Sequence, residues 1–313
     1  MAHDDVHDPA SVDPAAARGL DPVAVRAALR RLARVPSAPW LHAEVARRMG
    51  ERLAIVRARP ALIVDWWSAL GAGTAELHRL HPDAAVIAVE PDAAWAERSR
   101  AASRRPWWSF AGAPQVQLQD APMPAGVGLV WANMMLHAVV DPPALFERWE
   151  RALAVDGFVM FSCLGPGTLG GLRKLYQRLG WGAATPAFVD MHDLGDMLVH
   201  AGFADPVMDQ EVLTLTWPDA DALLAELRGL GGNAAPARTP GLRTPRWRQR
   251  LVGELNSLAG ADGRIALDFE VAYGHAFKAA PRLRADAPAQ VSLEQVRSQL
   301  PSLRKPGRAD SLG

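Results

Sequence analysis

The chain reads as an α/β protein built on a doubly wound, mostly parallel sheet of seven strands with an antiparallel edge strand. Three observations predict it. Short apolar runs alternate with helix-like segments between residues 61 and 163, the rhythm of parallel strands covered on both faces. The first two runs, ending in Asp65 and Glu90, bracket a turn and a helix. Two later segments, 207–217 and 265–278, alternate as strands do and are expected to pair antiparallel at one edge.

Taken in order, the N-terminal MAHDDVHDPASVDP is acidic and polar, so residues 1–20 are expected to be disordered and do not read as a signal peptide. Asp21-Pro22 supplies an N-cap and a proline at the first helical position, starting a helix that runs to about Val35. Pro36 and Pro39 break it, and a second helix carries Leu41, Val45, Met49 and Leu53 on one stripe. Strands are predicted near 61–65, 86–90, 115–119, 127–132 and 157–163. After Cys163 come a glycine-rich turn, GPGTLGG, and helices over about 168–180 and 193–201. Further helices are expected near 219–229 and 245–258, and residues 279–313, rich in Pro, Ala and Arg, read as a flexible tail.

Composition narrows the functional classes. The 313 residues are 49% hydrophobic, enough for a full core, and the formal net charge is zero. No global field draws in nucleic acid, and none is expected as a partner. The longest apolar run, Val127 to Val140, is interrupted by Asn133 and His137 and is too short to span a bilayer, so no membrane partner is expected. One cysteine, Cys163, allows no internal disulfide and suits a reducing cytoplasm; it reads as a small core residue. His192 with Asp190 and Asp193 lacks a supporting second cluster, so no metal site is expected, and Asp193 can simply cap a helix.

The segment IVDWWSALGAGTAELHRLHPDAAVIAVE, Ile63 to Glu90, carries the chemistry. An acid at the tip of a second strand can accept both ribose hydroxyls of a nucleotide, which places Glu90. The first turn ordinarily uses glycines for close backbone approach; here Trp66, Trp67, Ser68 and Ala69 stand in it, with glycine only at Gly71 and Gly73. A dinucleotide fingerprint starting at Gly71 would need glycine where Glu76 stands. The plain alternative makes Trp66 and Trp67 core residues beneath a remodelled loop.

Four further segments carry a resemblance: VGLVWANMMLHAVVDPP (127–143), DGFVMFSCLGPGTLGGLR (156–173), FVDMHDLGDMLVHAGFADPVMDQEVLTLTW (188–217) and FEVAYGHAFK (269–278). Over roughly residues 25–278 the chain resembles the class I S-adenosylmethionine-dependent methyltransferases, and within them the malonyl-acyl-carrier-protein O-methyltransferases of biotin synthesis. The patterns FSxxGPxTL and DMHDxGDxL are its most specific parts. The resemblance implies a Rossmann-like domain over 21–278, with a helical lid at 21–58 and an insertion at 164–204. It implies S-adenosylmethionine as cofactor, held by Asp65, Gly71, Gly73, Glu90 and Asp120, and malonyl-loaded acyl carrier protein as partner. Asn133 and His137 would stand where substrate and methyl group meet, and Arg173 would pair with the malonyl carboxylate. That carboxylate is ionised at neutral pH, so the reaction needs alignment rather than a general base.

Two departures accompany this likeness. The family's Asp-x-Gly-x-Gly-x-Gly loop reads Trp67, Ala69 and Gly71 at its glycine positions, and its early aromatic–acidic pair is replaced by Val35-Pro36. Two further readings therefore stand beside the first: a non-catalytic relative with lost or weakened S-adenosylmethionine binding, and a methyltransferase of another substrate. Arg238, Arg243, Arg246, Arg248 and Arg250 crowd one region and could steer an acidic carrier; a solvated helix face is the plainer account.

Overall fold

The computed structural model describes residues 19–102, 115–239, 241 and 243–280. The expected N-terminal disorder and C-terminal tail fall almost wholly outside the described residues. Seven strands form one sheet in the order β3-β2-β1-β4-β5-β7-β6. They are β1 (Leu62–Trp66), β2 (Ala85–Glu90), β3 (Gln115–Leu118), β4 (Val127–Ala132), β5 (Leu153–Leu164), β6 (Phe203–Trp217) and β7 (Ile265–Lys278). The first five pair in parallel, while β7 lies antiparallel to both β5 and β6. The order reverses between β1 and β4, and such a switch point opens a crevice at the carboxyl ends of the strands.

Two strands begin earlier than their predicted starts. β5 opens at Leu153 because the helix before it runs straight into the strand, with a register irregularity between Val127 and Leu129 on its partner. β6 opens at Phe203 because Ala204 pairs with Phe277 ahead of a bulge that accommodates Pro206, which has no N–H for the ladder.

Helices cover both faces. Helix α1 (Pro22–Leu32) starts where Asp21 accepts from the Val23 and Ala24 amides, and buries Val25, Leu29 and Leu32 along one stripe. Asp21 also pairs with Arg238 at 2.7 Å, and its backbone N–H donates to Ala234 O at 2.8 Å, fastening α1 to the loop before the last helix. Helix α2 (Trp40–Leu53) buries Leu41, Val45, Met49 and Leu53 as expected, together with His42 and Ala46. Its outer face is tied to the edge strand by Arg48–Glu211 at 2.5 Å and Arg52–Asp209 at 2.7 Å. A short turn, α3 (Ser68–Gly71), leads into α4 (Thr74–Leu80); α5 (Ala93–Ala102) and α6 (Pro142–Ala152) follow β2 and β4. Helices α7 (Gly170–Leu179), α8 (Met191–His200), α9 (Ala220–Gly229) and α10 (Pro245–Asn256) complete the described residues. Two apolar clusters result, one containing Val64, Trp66, Val130 and Phe161, the other Ile63, Leu129, Phe158 and Val271, as alternation along strands buried on both faces requires.

Candidate functional site

Asp65 ends its apolar run fully buried, and its Oδ2 accepts from Ser68 Oγ at 2.5 Å and Thr74 Oγ1 at 2.9 Å. The strand-end acid thus organises the turn after it. Burial pushes its carboxyl up to about 6 despite those two bonds, and Oδ1 has no partner.

Trp67 adopts a left-handed conformation, φ 54° and ψ 48°, in the position where the family pattern has glycine. Left-handed backbone costs a side chain about 1–2 kcal/mol. Burial offsets it: Trp67 is 4% exposed, and burying an indole of roughly 150–250 Å² is worth about 4–6 kcal/mol. The path of the ring follows from its hydrogen bonds. Trp67 N–H donates to Val89 O at 2.6 Å, and indole Nε1–H donates to Gln119 Oε1 at 2.8 Å. Val89 lies on β2 and Gln119 just beyond β3, so the indole runs from the end of β1 across the tip of β2.

Glu90 sits at that tip with 0% exposure. Its Oε1 accepts from the Ala69 amide at 2.9 Å and from Ser99 Oγ of α5. Burial is the main cause that drives its carboxyl up to about 8, with Asp65 adding repulsion, so it is largely neutral at pH 7. Gly71 and Gly73 have packing reasons for lacking a side chain. A Cβ on Gly71 would stand 3.1 Å from Asn133 O, and one on Gly73 would stand 2.2 Å from Trp131 Nε1. Asp120 is exposed beyond β3.

A large cavity lies beside α3, at the ends of β4 and β5. It measures about 680 Å³, within the range of small-molecule sites, and α1 forms part of its wall. Leu70, Met134, His137, Leu172, Tyr176 and Leu224 give it a mostly apolar lining. Turn α3 separates this cavity from Glu90: Leu70 lines the cavity, whereas Ala69 N–H is spent on the acid.

Two histidines stand at the inner wall. His42 Nδ1–H donates to Leu70 O at 2.9 Å, and burial depresses it to about 4. His137 Nδ1 accepts from Leu164 N–H at 3.3 Å, which leaves the proton of the neutral ring on Nε2; burial, with His42 nearby, holds it to about 3. Both rings are therefore uncharged at neutral pH. His42 was missed in the sequence, although His42, Ala46, Met49 and Leu53 follow helical spacing and mark it as part of the buried stripe.

The other expected catalytic residues are placed differently. Asn133 is fully buried, its Nδ2 donating to His42 O at 2.8 Å and Gly71 O at 2.5 Å while Oδ1 accepts from Ser162 Oγ at 2.7 Å. Both donors are used, which makes Asn133 a strut of the crevice rather than a group facing substrate. Arg173 lines a separate, more open groove of about 530 Å³ and donates to Pro166 O. A clamp on a carboxylate inside the main cavity does not follow from that position. The groove and cavity share Thr185, Pro186 and Phe188, and the buried Thr185 Oγ1 has no partner.

Most of the arginine cluster is internally engaged. Arg238 pairs with Asp21, Arg248 with Asp221 at 2.6 Å, Arg250 lies 4.0 Å from Glu254, and Arg243 stacks 4.3 Å over Trp247. Asp190 caps α8 through the His192 amide. No group of three or more His, Cys, Asp or Glu among the described residues could hold a metal ion, and no described helix is long and apolar enough to cross a membrane.

Comparison with known proteins decides the family. Residues 68–161 match a methyltransferase domain. The chain is 37% identical over 279 residues to the malonyl-[acyl-carrier protein] O-methyltransferase of Gallionella capsiferriformans, covering 86% of this chain and 95% of that protein. The protein of the same description from Laribacter hongkongensis is 36% identical, covering 83% and 90%. The chain belongs to the malonyl-[acyl-carrier protein] O-methyltransferase family. In fold it is similar to the YcgJ protein of Bacillus subtilis, with a TM-score of 0.50 and 13% identity over 76% of this chain and 99% of that one.

S-adenosylmethionine is the cofactor of this family. In a doubly wound sheet its nucleoside would cross the ends of β1 and β2, with ribose on the second-strand acid. In this member the chain's own groups fill that path. The Trp67 ring takes that path, Ala69 and Ser99 both donate to Glu90 Oε1 while Oε2 has no partner, and the glycines at 71 and 73 pack closely against Asn133 and Trp131.

Proposed function

We propose that this chain transfers the methyl group of S-adenosylmethionine to the free carboxylate of malonyl-acyl-carrier protein, in the synthesis of the pimeloyl part of biotin. The observation that carries the reading is likeness along nearly the whole of a relative bearing that description, 37% identity over 95% of its length. The acceptor side of the site agrees with it. A carrier presents its acyl group on a long, flexible arm, and a mostly apolar cavity of about 680 Å³ beside the ends of β4 and β5 has room for the arm's inner end.

Within the cavity, His137 remains the sequence-derived candidate to touch substrate. As a neutral ring protonated on Nε2, it can donate to an acceptor oxygen without adding charge. The malonyl carboxylate is already ionised at neutral pH, so no group need remove a proton from it. The chain's part is to hold the acceptor and exclude water. For the acidic carrier, Arg228 lines the mouth of the cavity and is exposed, and Arg246 is exposed on α10. These two replace the larger arginine cluster as the proposed steering charges.

The test is incubation of the purified chain with malonyl-carrier protein and methyl-labelled S-adenosylmethionine at millimolar concentration. Base-labile label on malonyl-carrier, and none on acetyl-carrier, is expected. No label on malonyl-carrier refutes the proposal.

A further inference from the structure

The filled nucleoside path has a chemical logic of its own. A nucleoside would offer a flat aromatic ring, a hydrogen bond toward the residues after β3, and two ribose hydroxyls as donors to the second-strand acid. The chain supplies a counterpart to each. The Trp67 indole is the ring, its Nε1–H is satisfied by Gln119 at 2.8 Å, and the Ala69 N–H and Ser99 O–H are the two donors on Glu90, both on Oε1, with Oε2 left unpartnered. Glu90 is correspondingly neutral at pH 7, which a buried carboxyl with no external ligand favours.

We infer that Trp67 is an intramolecular occupant of the nucleoside path, so that the methyl donor binds this chain at least tenfold more weakly than it binds the same chain without the indole. The inference rests on the proposed use of S-adenosylmethionine across β1 and β2. The donor must displace the ring, strip Gln119 of its partner and free Glu90 from Ala69 before it can seat. The cavity proposed for the acceptor is lined by neither Trp67, Glu90 nor Gln119.

The probe is S-adenosylhomocysteine, which carries the same nucleoside and transfers nothing. It is titrated by calorimetry into the full chain, into Trp67→Asn and into Gln119→Ala. Asparagine tolerates the left-handed backbone at 67, so W67N vacates the path without straining the turn. Affinity at least tenfold tighter in W67N, with a smaller gain in Q119A, is expected. Equal affinities in the parent and a folded W67N overturn the inference. If W67N does not fold, the absence of any gain in Q119A overturns it. Label transfer to malonyl-carrier is measured on the same preparations. Tighter nucleoside binding with no label from any of them refutes the proposed reaction and leaves the occupant; label from the parent with equal affinities refutes the occupant and leaves the reaction.

Discussion

Replacing Glu90 by glutamine isolates the electrostatics of the strand-end acid. In the folded chain its carboxyl is pushed up to about 8 from an ordinary 4.5, so the fold prefers the neutral form. Below pH 4.5 neither folded nor unfolded chain ionises there, and the group's contribution is fully present. Between 4.5 and 8 the unfolded chain releases a proton that the folded chain keeps, which pulls the equilibrium toward unfolding; above 8 both release it. Each pH unit in that window removes about 1.4 kcal/mol, so roughly 2–3 kcal/mol of stability is lost between pH 6 and pH 8. Glutamine cannot titrate. It still accepts from Ala69 and Ser99, but its amide nitrogen replaces Oε2, which has no partner, at a pH-independent cost of about 1–3 kcal/mol. The absolute stability of Glu90→Gln therefore decides nothing, and its pH slope does. Urea unfolding at pH 6 and pH 8 should show the variant gaining on the parent by about 2–3 kcal/mol, with the titrations of His42 and His137 common to both. A difference that does not change with pH would refute a buried, neutral Glu90 and with it the closed tip of β2.

Two further variants probe the crevice. Asn133→Ala leaves His42 O and Gly71 O without their donor and Ser162 without its acceptor, and should cost about 2–4 kcal/mol in denaturant titration. Gly73→Ala forces a methyl group to within 2.2 Å of the buried Trp131 ring and should lower stability by about 1–3 kcal/mol; a neutral result would remove the packing explanation for that glycine.

The sheet was legible because its signals are local. Buried parallel strands show as continuous apolar runs such as Val127–Ala132, and the acids Asp65 and Glu90 mark strand ends whatever the turns between them do. The start of β6 was not legible, since Pro206 argues against a strand until its bulge is seen. In the site, substitution of glycine by Trp67 and Ala69 was visible, but the direction of the indole depends on Gln119, 52 residues later in the chain. Nor does a sequence reveal that Asn133 spends both amide donors on backbone oxygens of α2 and α3. Short-range pattern gave the scaffold, and long-range hydrogen bonds decided which polar residues face solvent, ligand or one another.

The most direct measurement is methyl-ester formation on malonyl-carrier protein as a function of S-adenosylmethionine concentration, for the intact chain and for Trp67→Asn. Ester should form with both, at a half-saturating donor concentration at least tenfold lower in the variant. No ester at any donor concentration would contradict the proposed reaction, and identical half-saturation would contradict the indole's hold on the nucleoside path.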